Sequence, residues 1–421
     1  MKLEMPTAFG RLWPGALVAG ALLATLLWAP PAVASGAAAA SSATGGAWTA
    51  VPAATPPGLS ASSLSLGNMT CVSHTNCVVA GFLNRNSTDR PVIYHWNGTA
   101  WHLAAVSVRG SVAFEGSACA TPSDCWVVGA RVAGGAPVSV IEHGDGGRWS
   151  TAAGPVPSAG VVLNGVACTS ASSCFAVGDR QTSTRAQVAV ARWDGRSWSF
   201  MAAPSPRGSA WSELYAVRCV SARDCVALGG ADNSSTAPAH FFGARWNGRA
   251  WALVAAGTLG KIELGNATGF WGIDCPSARA CLAVGTALAY QHGVGGADFP
   301  SGVAERWSGS RWTAVKSPIS NTSVLGGPAS RAAYLLEGVG CPSARDCWVA
   351  LAVAGPIPPN AIHVSLAHWN GSGFSVVTLS RYGSLNAIGC LPGGWCVALG
   401  EGSTAVAGVH VHLTAIGVET R

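Results

Sequence analysis

The chain has 421 residues, of which 49% are hydrophobic and only 10% charged, and Lys plus Arg exceed Asp plus Glu by six. That length is enough for one large core or several smaller ones, while the charge falls well under the roughly one quarter usual for globular chains. The basic excess is mostly Arg and never forms a run, which argues against a nucleic-acid footprint.

Residues 1–34 read as an export signal. Lys2 and Arg11 give a positive start, WPGALVAGALLATLLWAPP is the apolar core, and Ala32-Val33-Ala34 is a small-x-small cleavage site. No cysteine follows the site, so a lipoprotein anchor is not expected. Residues 35–46, SGAAAASSATGG, form a flexible spacer. No later apolar run is long enough to span a bilayer. The mature chain, from Ser35 and with its folded part over residues 47–421, is expected to be secreted, with no membrane span once the signal is cleaved.

From Trp48 onward the chain is written in repeats. Seven C-x5-C pairs use all 14 cysteines: Cys71–Cys77, Cys119–Cys125, Cys168–Cys174, Cys219–Cys225, Cys275–Cys281, Cys341–Cys347 and Cys390–Cys396. Successive first cysteines lie 48, 49, 51, 56, 66 and 49 residues apart. A period near 50 marks a repeat architecture. Each repeat carries four short β-like runs. The first ends at the first cysteine, as in LYAVRC, and the second begins at the second cysteine, as in CFAVG. The third resembles VAVARW, and the fourth begins at Trp101, Trp149, Trp198, Trp251, Trp312 or Phe374. Between the third and fourth sits W-[ND]-G-x-x-W, with Gly144 replacing the first tryptophan in the second repeat and W-S-G-x-x-W at Trp307–Trp312. Asn-Gly and Asp-Gly are strong hairpin signals.

The runs are too short for helices and lack a 3.6-residue period. Each repeat is therefore expected to be a four-stranded antiparallel meander, and the seven together an all-β, seven-bladed β-propeller. The last repeat has no fourth strand of its own. Trp48 in GGAWTAVPA matches Trp312 in WTAVKS, so the N-terminal strand is expected to complete the last blade and leave no open edge. Each C-x5-C then becomes a disulfide across the first hairpin of a blade, as suits an exported chain. Zinc sites need clustered ligands of the C-x2-C kind, so no metal and no cofactor is expected. The recurrent tryptophans are expected to pack the blades. The basic residue before each turn (His95, His143, Arg192, Arg245, Arg306, His368) is expected to stack on a neighbouring ring. His410 and His412 share a strand face but make too small a set for a metal. The sequons at Asn68, Asn86, Asn97, Asn233, Asn266, Asn321 and Asn370 owe much to turn chemistry.

The two hairpins of constant length join strands one to two and three to four, so they share one face. The other face takes connections of very different length, around 256–269, 286–302, 316–335 and 352–363. Variable loops on a rigid frame are where binding is expected. Five residues before each first cysteine stands Leu or Phe (Leu66, Phe114, Leu163, Leu214, Phe270, Leu336, Leu385). The next position is free in identity: Gly67, Glu115, Asn164, Tyr215, Trp271, Glu337 and Asn386. These residues are expected to start the innermost strands and surround a channel mouth. With Trp211 they make a polar and aromatic set suited to carbohydrate.

The W-[ND]-G-x-x-W turn with C-x5-C-x-[AV]-[VL]-G resembles secreted, actinobacterial-type seven-bladed propeller repeat proteins of high-GC bacteria, over roughly residues 47–418. The turn is also distantly similar to the Asp-box of sialidase-like propellers. The S-x-D-x-G-x-x-W order is absent, however, with Asp194 and Gly195 adjacent. The resemblance therefore implies a fold and carries no catalytic residues across. The expected function is non-enzymatic binding or scaffolding by a monomer, with a glycan, cell-wall material or a protein as partner. The alternative is a glycoside hydrolase or lyase, which needs a close carboxylate pair. Glu115 and Glu337 belong to distant repeats, leaving Glu213 or Asp274 as closer partners.

Overall fold

The computed structural model describes residues 48–59, 63–152, 158–232, 240–254, 269–289, 299–317, 333–354, 363–405 and 411–420. The expected signal and spacer, His410, Asn233, Asn266, Asn321 and most of each long connection lie outside the described residues.

Strand β1 is Trp48–Val51. The first C-x5-C belongs to β2 (Ser63–Leu66), β3 (Thr70–Ser73), β4 (Asn76–Arg85), β5 (Thr88–Trp96) and β6 (Trp101–Leu103). The second belongs to β7 (Val112–Thr121), β8 (Asp124–Ala133), β9 (Ala136–Gly144) and β10 (Trp149–Thr151). Then come β11 (Val161–Ser170), β12 (Ser173–Gln181), β13 (Ala186–Trp193) and β14 (Trp198–Met201), followed by β15 (Trp211–Ser221), β16 (Asp224–Asp232), β17 (His240–Trp246) and β18 (Trp251–Val254). Next are β19 (Gly269–Ser277), β20 (Ala280–Ala289), β21 (Phe299–Trp307) and β22 (Trp312–Val315). The chain ends with β23 (Ala333–Ser343), β24 (Asp346–Ala354), β25 (His363–Trp369), β26 (Phe374–Cys390), β27 (Cys396–Ala405) and β28 (Val411–Thr420).

These strands build an all-β propeller of four-stranded antiparallel blades whose ladders group into five sheets among the described residues. Two of the five contain more than one C-x5-C hairpin. In the eight-stranded sheet, β11–β14 and β15–β18 are joined by one parallel bridge, Ala186 to Trp211. In the seven-stranded sheet, β26 pairs with β25 along its first part and with β27 along its last. Gly383, at φ 139°, lies where the pairing changes over. β1 pairs antiparallel with β28, Trp48 opposite Thr420, so the N-terminal strand completes the last meander.

The first strand of each meander packs on the first strand of the next: β3 on β7, then β11, β15, β19, β23, β26, and back to β3. Hydrophobic clusters accordingly lie between neighbouring meanders. One joins Trp126, Val128 and Ile141 to Val161, Leu163 and Trp198. Another closes the ring, with Ala387, Val397 and Leu399 against Leu64, Leu66 and Val79. Because alternate side chains of each strand face opposite neighbours, the middle strands read as near-continuous apolar runs.

The punctuation residues each have a physical role. All seven C-x5-C pairs are disulfides, with Cα–Cα distances of 3.9 to 4.1 Å. Where the ladder pairs them, as Cys168 with Cys174, they are directly opposite in the hairpin. The W-x-G-x-x-W hairpin departs from the two-residue turn that Asn-Gly suggests. Trp96 pairs with Trp101, leaving a four-residue loop. In that loop the Asn97 Oδ1 accepts the Thr99 and Ala100 N–H groups, and Gly98 takes φ 97°. Asp194 does the same for Arg196 and Ser197, and those N–H groups hold its carboxyl below the usual range. The first tryptophan ties this loop to the disulfide hairpin. Indole N–H groups of Trp96, Trp193, Trp246 and Trp307 donate to the carbonyls of His74, Ala171, Ala222 and Ala278. Both constant hairpins therefore share one face.

The basic residue before the turn has a structural role wherever its contacts are described. His143 and His368 bond Asp124 and Asp346 at 2.8 Å and stack on Trp126 and Trp348. Arg245 forks onto Asp224 and lies over Trp307 of the next meander.

Candidate functional site

Six of the seven positions of free identity, all but Gly67, are β-bulges. The register of β11 on β12 runs Leu163 to Gly178 and then Gly165 to Val177, which leaves Asn164 unpaired. The same skip passes over Glu115, Tyr215, Trp271 and Asn386. In β23 it passes over both Glu337 and Gly338. A bulged residue is released from the ladder, so its side chain is not fixed by the alternation of the strand. The expected location therefore needs correcting. The innermost strands start earlier than the Leu or Phe, at Val161 and Trp211 for example, so these residues sit within the strands and not at their beginning.

The bulge also explains the glycine that ends C-x-[AV]-[VL]-G. A Cβ at Gly178 would stand 2.0 Å from the Val162 carbonyl oxygen. Gly81, Gly129, Gly229, Gly285 and Gly400 meet the equivalent carbonyl at 1.9 to 2.1 Å. Only a residue without a side chain permits that approach. Leu351 replaces this glycine in the sixth repeat, where the ladder skips Ala350 opposite Glu337 and Gly338 and the net insertion is again one residue.

Two bulged side chains come together. The Tyr215 and Trp271 rings, from neighbouring innermost strands, meet edge to face with centroids 5.4 Å apart. Each lies back along its own meander toward the variable-loop face. The Tyr215 hydroxyl covers Gly230, where a Cβ would meet it at 3.0 Å, and the Trp271 ring covers Gly269, where a Cβ would meet it at 2.7 Å. The Tyr215 hydroxyl donates to Glu213 Oε1 at 2.9 Å. Asp179 of β12, in the preceding meander, is 1% exposed, and neither of its oxygens has a hydrogen-bond partner among the described residues. Burial, then the negative charge of Glu213, push the Asp179 carboxyl well above the usual range, against the influence of Gln181. Burial also raises Glu213, and the Tyr215 bond opposes that rise. The corner therefore holds two aromatic rings, a phenol and two carboxyl groups that resist simultaneous ionisation.

The other predicted residues are placed differently. Asn164 donates to the Leu214 carbonyl at 2.9 Å, bridging two meanders. Glu115 is half-buried, whereas Glu337 and Asn386 are 6% and 3% exposed. Trp211 stands at the start of β15, four residues ahead of Tyr215, and is 40% exposed. Asp274 is not available as a catalytic partner. Its carboxylate accepts the Cys275 and Cys341 N–H groups and pairs with Arg218 at 2.9 Å. Asp179 was missed from sequence. The signal was an acid after the motif glycine, shared with Glu401 of the last repeat, where other repeats place Phe82, Ala130, Gly230 or Thr286. Among the described residues no group of three or more His, Cys, Asp or Glu could hold a metal ion.

No protein-family model and no curated protein matches the sequence. Solved structures do match. U3-55K aligns at TM-score 0.52 and 12% identity, covering 85% of this chain and 96% of that one. The RRP9 WD40 repeats align at TM-score 0.50 and 12% identity, covering 85% and 94%. A polysaccharide lyase of family PL25, an ulvan lyase, aligns at TM-score 0.45 and 10% identity, covering 84% and 94%. At these identities the first two likenesses show a shared propeller fold and nothing of activity.

Proposed function

We propose that this chain is an exported, seven-bladed propeller that binds a glycan, cell-wall component or protein on its variable-loop face without cleaving it. Seven blades account for seven disulfide hairpins and for the closed cycle of innermost strands from β3 round to β26. The sheet count is smaller because one bridge and one continuous strand join adjacent blades. Export is supported by seven disulfides with no free cysteine, a pattern of oxidising compartments.

The observation that carries the binding reading is the Tyr215–Trp271 pair beside Glu213. It offers aromatic edges with a polar handle, the composition of sites for polar, ring-shaped ligands. The test is a screen of the oxidised mature chain against glycans and cell-wall polysaccharides, with Trp271→Ala alongside. A hit lost in the variant supports the corner as the site. A hit that survives both Trp271→Ala and Tyr215→Phe overturns it.

A second reading, cleavage of a glycosidic bond, is favoured by one observation. Burial raises the carboxyls of both Asp179 and Glu213, and the charge of Glu213 raises Asp179 further. One protonated and one ionised carboxyl is the arrangement that acid–base chemistry on sugars uses. Product analysis on any glycan that binds decides it: fragments lost in Glu213→Gln or Asp179→Asn support cleavage, and an intact glycan excludes it.

A further inference from the structure

A concavity lined by none of Tyr215, Trp271, Glu213 and Asp179 lies on the variable-loop face. It is a cleft of about 500 Å³ between the 182–187 hairpin and the 202–210 connection. That volume falls in the usual range for ligand pockets, about 300–1,000 Å³. We propose that this cleft is a binding site for an acidic polysaccharide, one bearing carboxylate or sulfate groups along a sugar chain.

The two walls are tied together before any ligand arrives. Ala186 N–H donates to the Ala210 carbonyl at 3.0 Å, and the Ser212 hydroxyl donates to the Ala186 carbonyl at 3.4 Å. Ser205 Oγ accepts the Val188 N–H at 3.0 Å and bonds Ser212 Oγ at 2.9 Å. This suture, with the Ala186–Trp211 bridge, fuses two meanders into the eight-stranded sheet. A cleft held this way loses little entropy when it is filled.

Its chemistry is one-sided. Arg185, Gln187, Ser205 and Ser209 line it, no carboxylate does among the described residues, and the exposed Arg207 lies between the lining residues Pro206 and Gly208. Asp232, opposite Trp211 in the ladder, is already engaged. Guanidinium groups match carboxylate and sulfate oxygens with paired donors. Trp211 adjoins the cleft wall and is 40% exposed, where four other repeats place the small residues Ser63, Ser111, Gly160 and Ala333 and the last places Tyr382. Its exposed indole supplies a flat apolar surface on which a sugar ring can lie. Amide, hydroxyl and indole together favour a saccharide over an acidic peptide.

The test uses the oxidised mature chain in affinity electrophoresis against polygalacturonate, dextran sulfate, neutral dextran and poly-glutamate. Retardation is expected on polygalacturonate or dextran sulfate, weakened by salt and absent on dextran. The probe that binds tells carboxylate from sulfate. The Arg185→Gln/Arg207→Gln double variant should lose about tenfold in affinity, about 1.4 kcal/mol. Trp211→Ala should weaken binding severalfold. All three substituted sites are exposed, so a matching thermal melt is expected and is checked. Binding to dextran as tight as to the acidic probes overturns the proposal. So does equal binding to poly-glutamate, unaltered binding in the double variant, or no binding to either acidic polysaccharide.

Discussion

The Tyr215 hydroxyl bonds Glu213 two residues earlier on the same strand, at 2.9 Å. On a regular strand those side chains would share a face at fixed spacing. The bulge at Tyr215 frees its ring to lean back over Gly230 and reach the carboxylate. That bond favours the ionised form of Glu213, against the burial that raises its pKa. Tyr215→Phe removes the opposing interaction, so the Glu213 pKa should rise further. Carboxyl-carbon NMR titration, with Glu213→Gln to assign the signal, reads the change directly. A pKa that stays put or falls would mean the bond does not stabilise the anion.

Asp179 carries the complementary prediction. Its folded pKa lies above its unfolded value, so between the two the native state binds the extra proton. Stability from this group therefore falls as pH rises through that interval. Asp179→Asn keeps the shape and removes the ionisation. The variant should be more stable at pH 8, because it no longer carries a buried group whose ionisation the fold opposes. The gain should vanish near pH 3, where the carboxyl is neutral in both states. Urea melts at the two pH values measure both arms. A destabilised variant at pH 8 would show that the carboxylate has a partner that compensates its burial.

The repeat frame was legible in the sequence because each meander is local. Its cysteines, glycines and tryptophans mark turns whose partners lie within one repeat, as Trp193 and Ala171 do. The candidate corner was only half legible. Tyr215 and Trp271 stood out as identities at a free position, but nothing in one sequence reveals that the position is a bulge, and the bulge decides where those rings point. Asp179 could not be found the same way. Its relation to Glu213 exists only once one blade is packed on the next. The five-sheet grouping was equally hidden, since it turns on a single bridge at Ala186 and on Gly383 letting β26 run on.

The closure of the ring carries its own pH dependence. Glu401 occupies in the last meander the place Asp179 holds in the third, and its Oε2 accepts the Leu64 N–H of β2 at 3.1 Å. Burial pushes its carboxyl up to about 7, with the Leu64 bond opposing. A carboxyl raised in the fold costs stability as pH climbs from the unfolded value, about 4.3, through about 7. Glu401→Gln retains an acceptor for Leu64 and removes the charge. It should raise stability by up to about 3–4 kcal/mol at pH 8 and by little at pH 4. Thermal melts across that range check it, and a parallel pH profile in variant and parent would show that Glu401 does not govern the closure.

Two glycine substitutions should separate framework from site. Gly178→Ala puts a methyl 2.0 Å from the Val162 carbonyl oxygen, a backbone atom fixed by the bulge. Nothing flexible can yield there, so the ladder itself must shift, and the loss should be large, about 4 kcal/mol or more. Gly269→Ala meets only the far edge of the Trp271 ring, at 2.7 Å, along with the atoms beside it. A side chain on a bulge can swing away, so that variant should lose about 1 kcal/mol or less while the indole leaves Tyr215. Urea midpoints at constant slope give the stabilities. Near-ultraviolet circular dichroism reports the Tyr215–Trp271 contact, which should weaken in Gly269→Ala beyond what its stability change implies. Equal destabilisation by the two substitutions would mean that Trp271 is locked into the framework, and the ring-side corner would then be core packing with no freedom to receive a ligand.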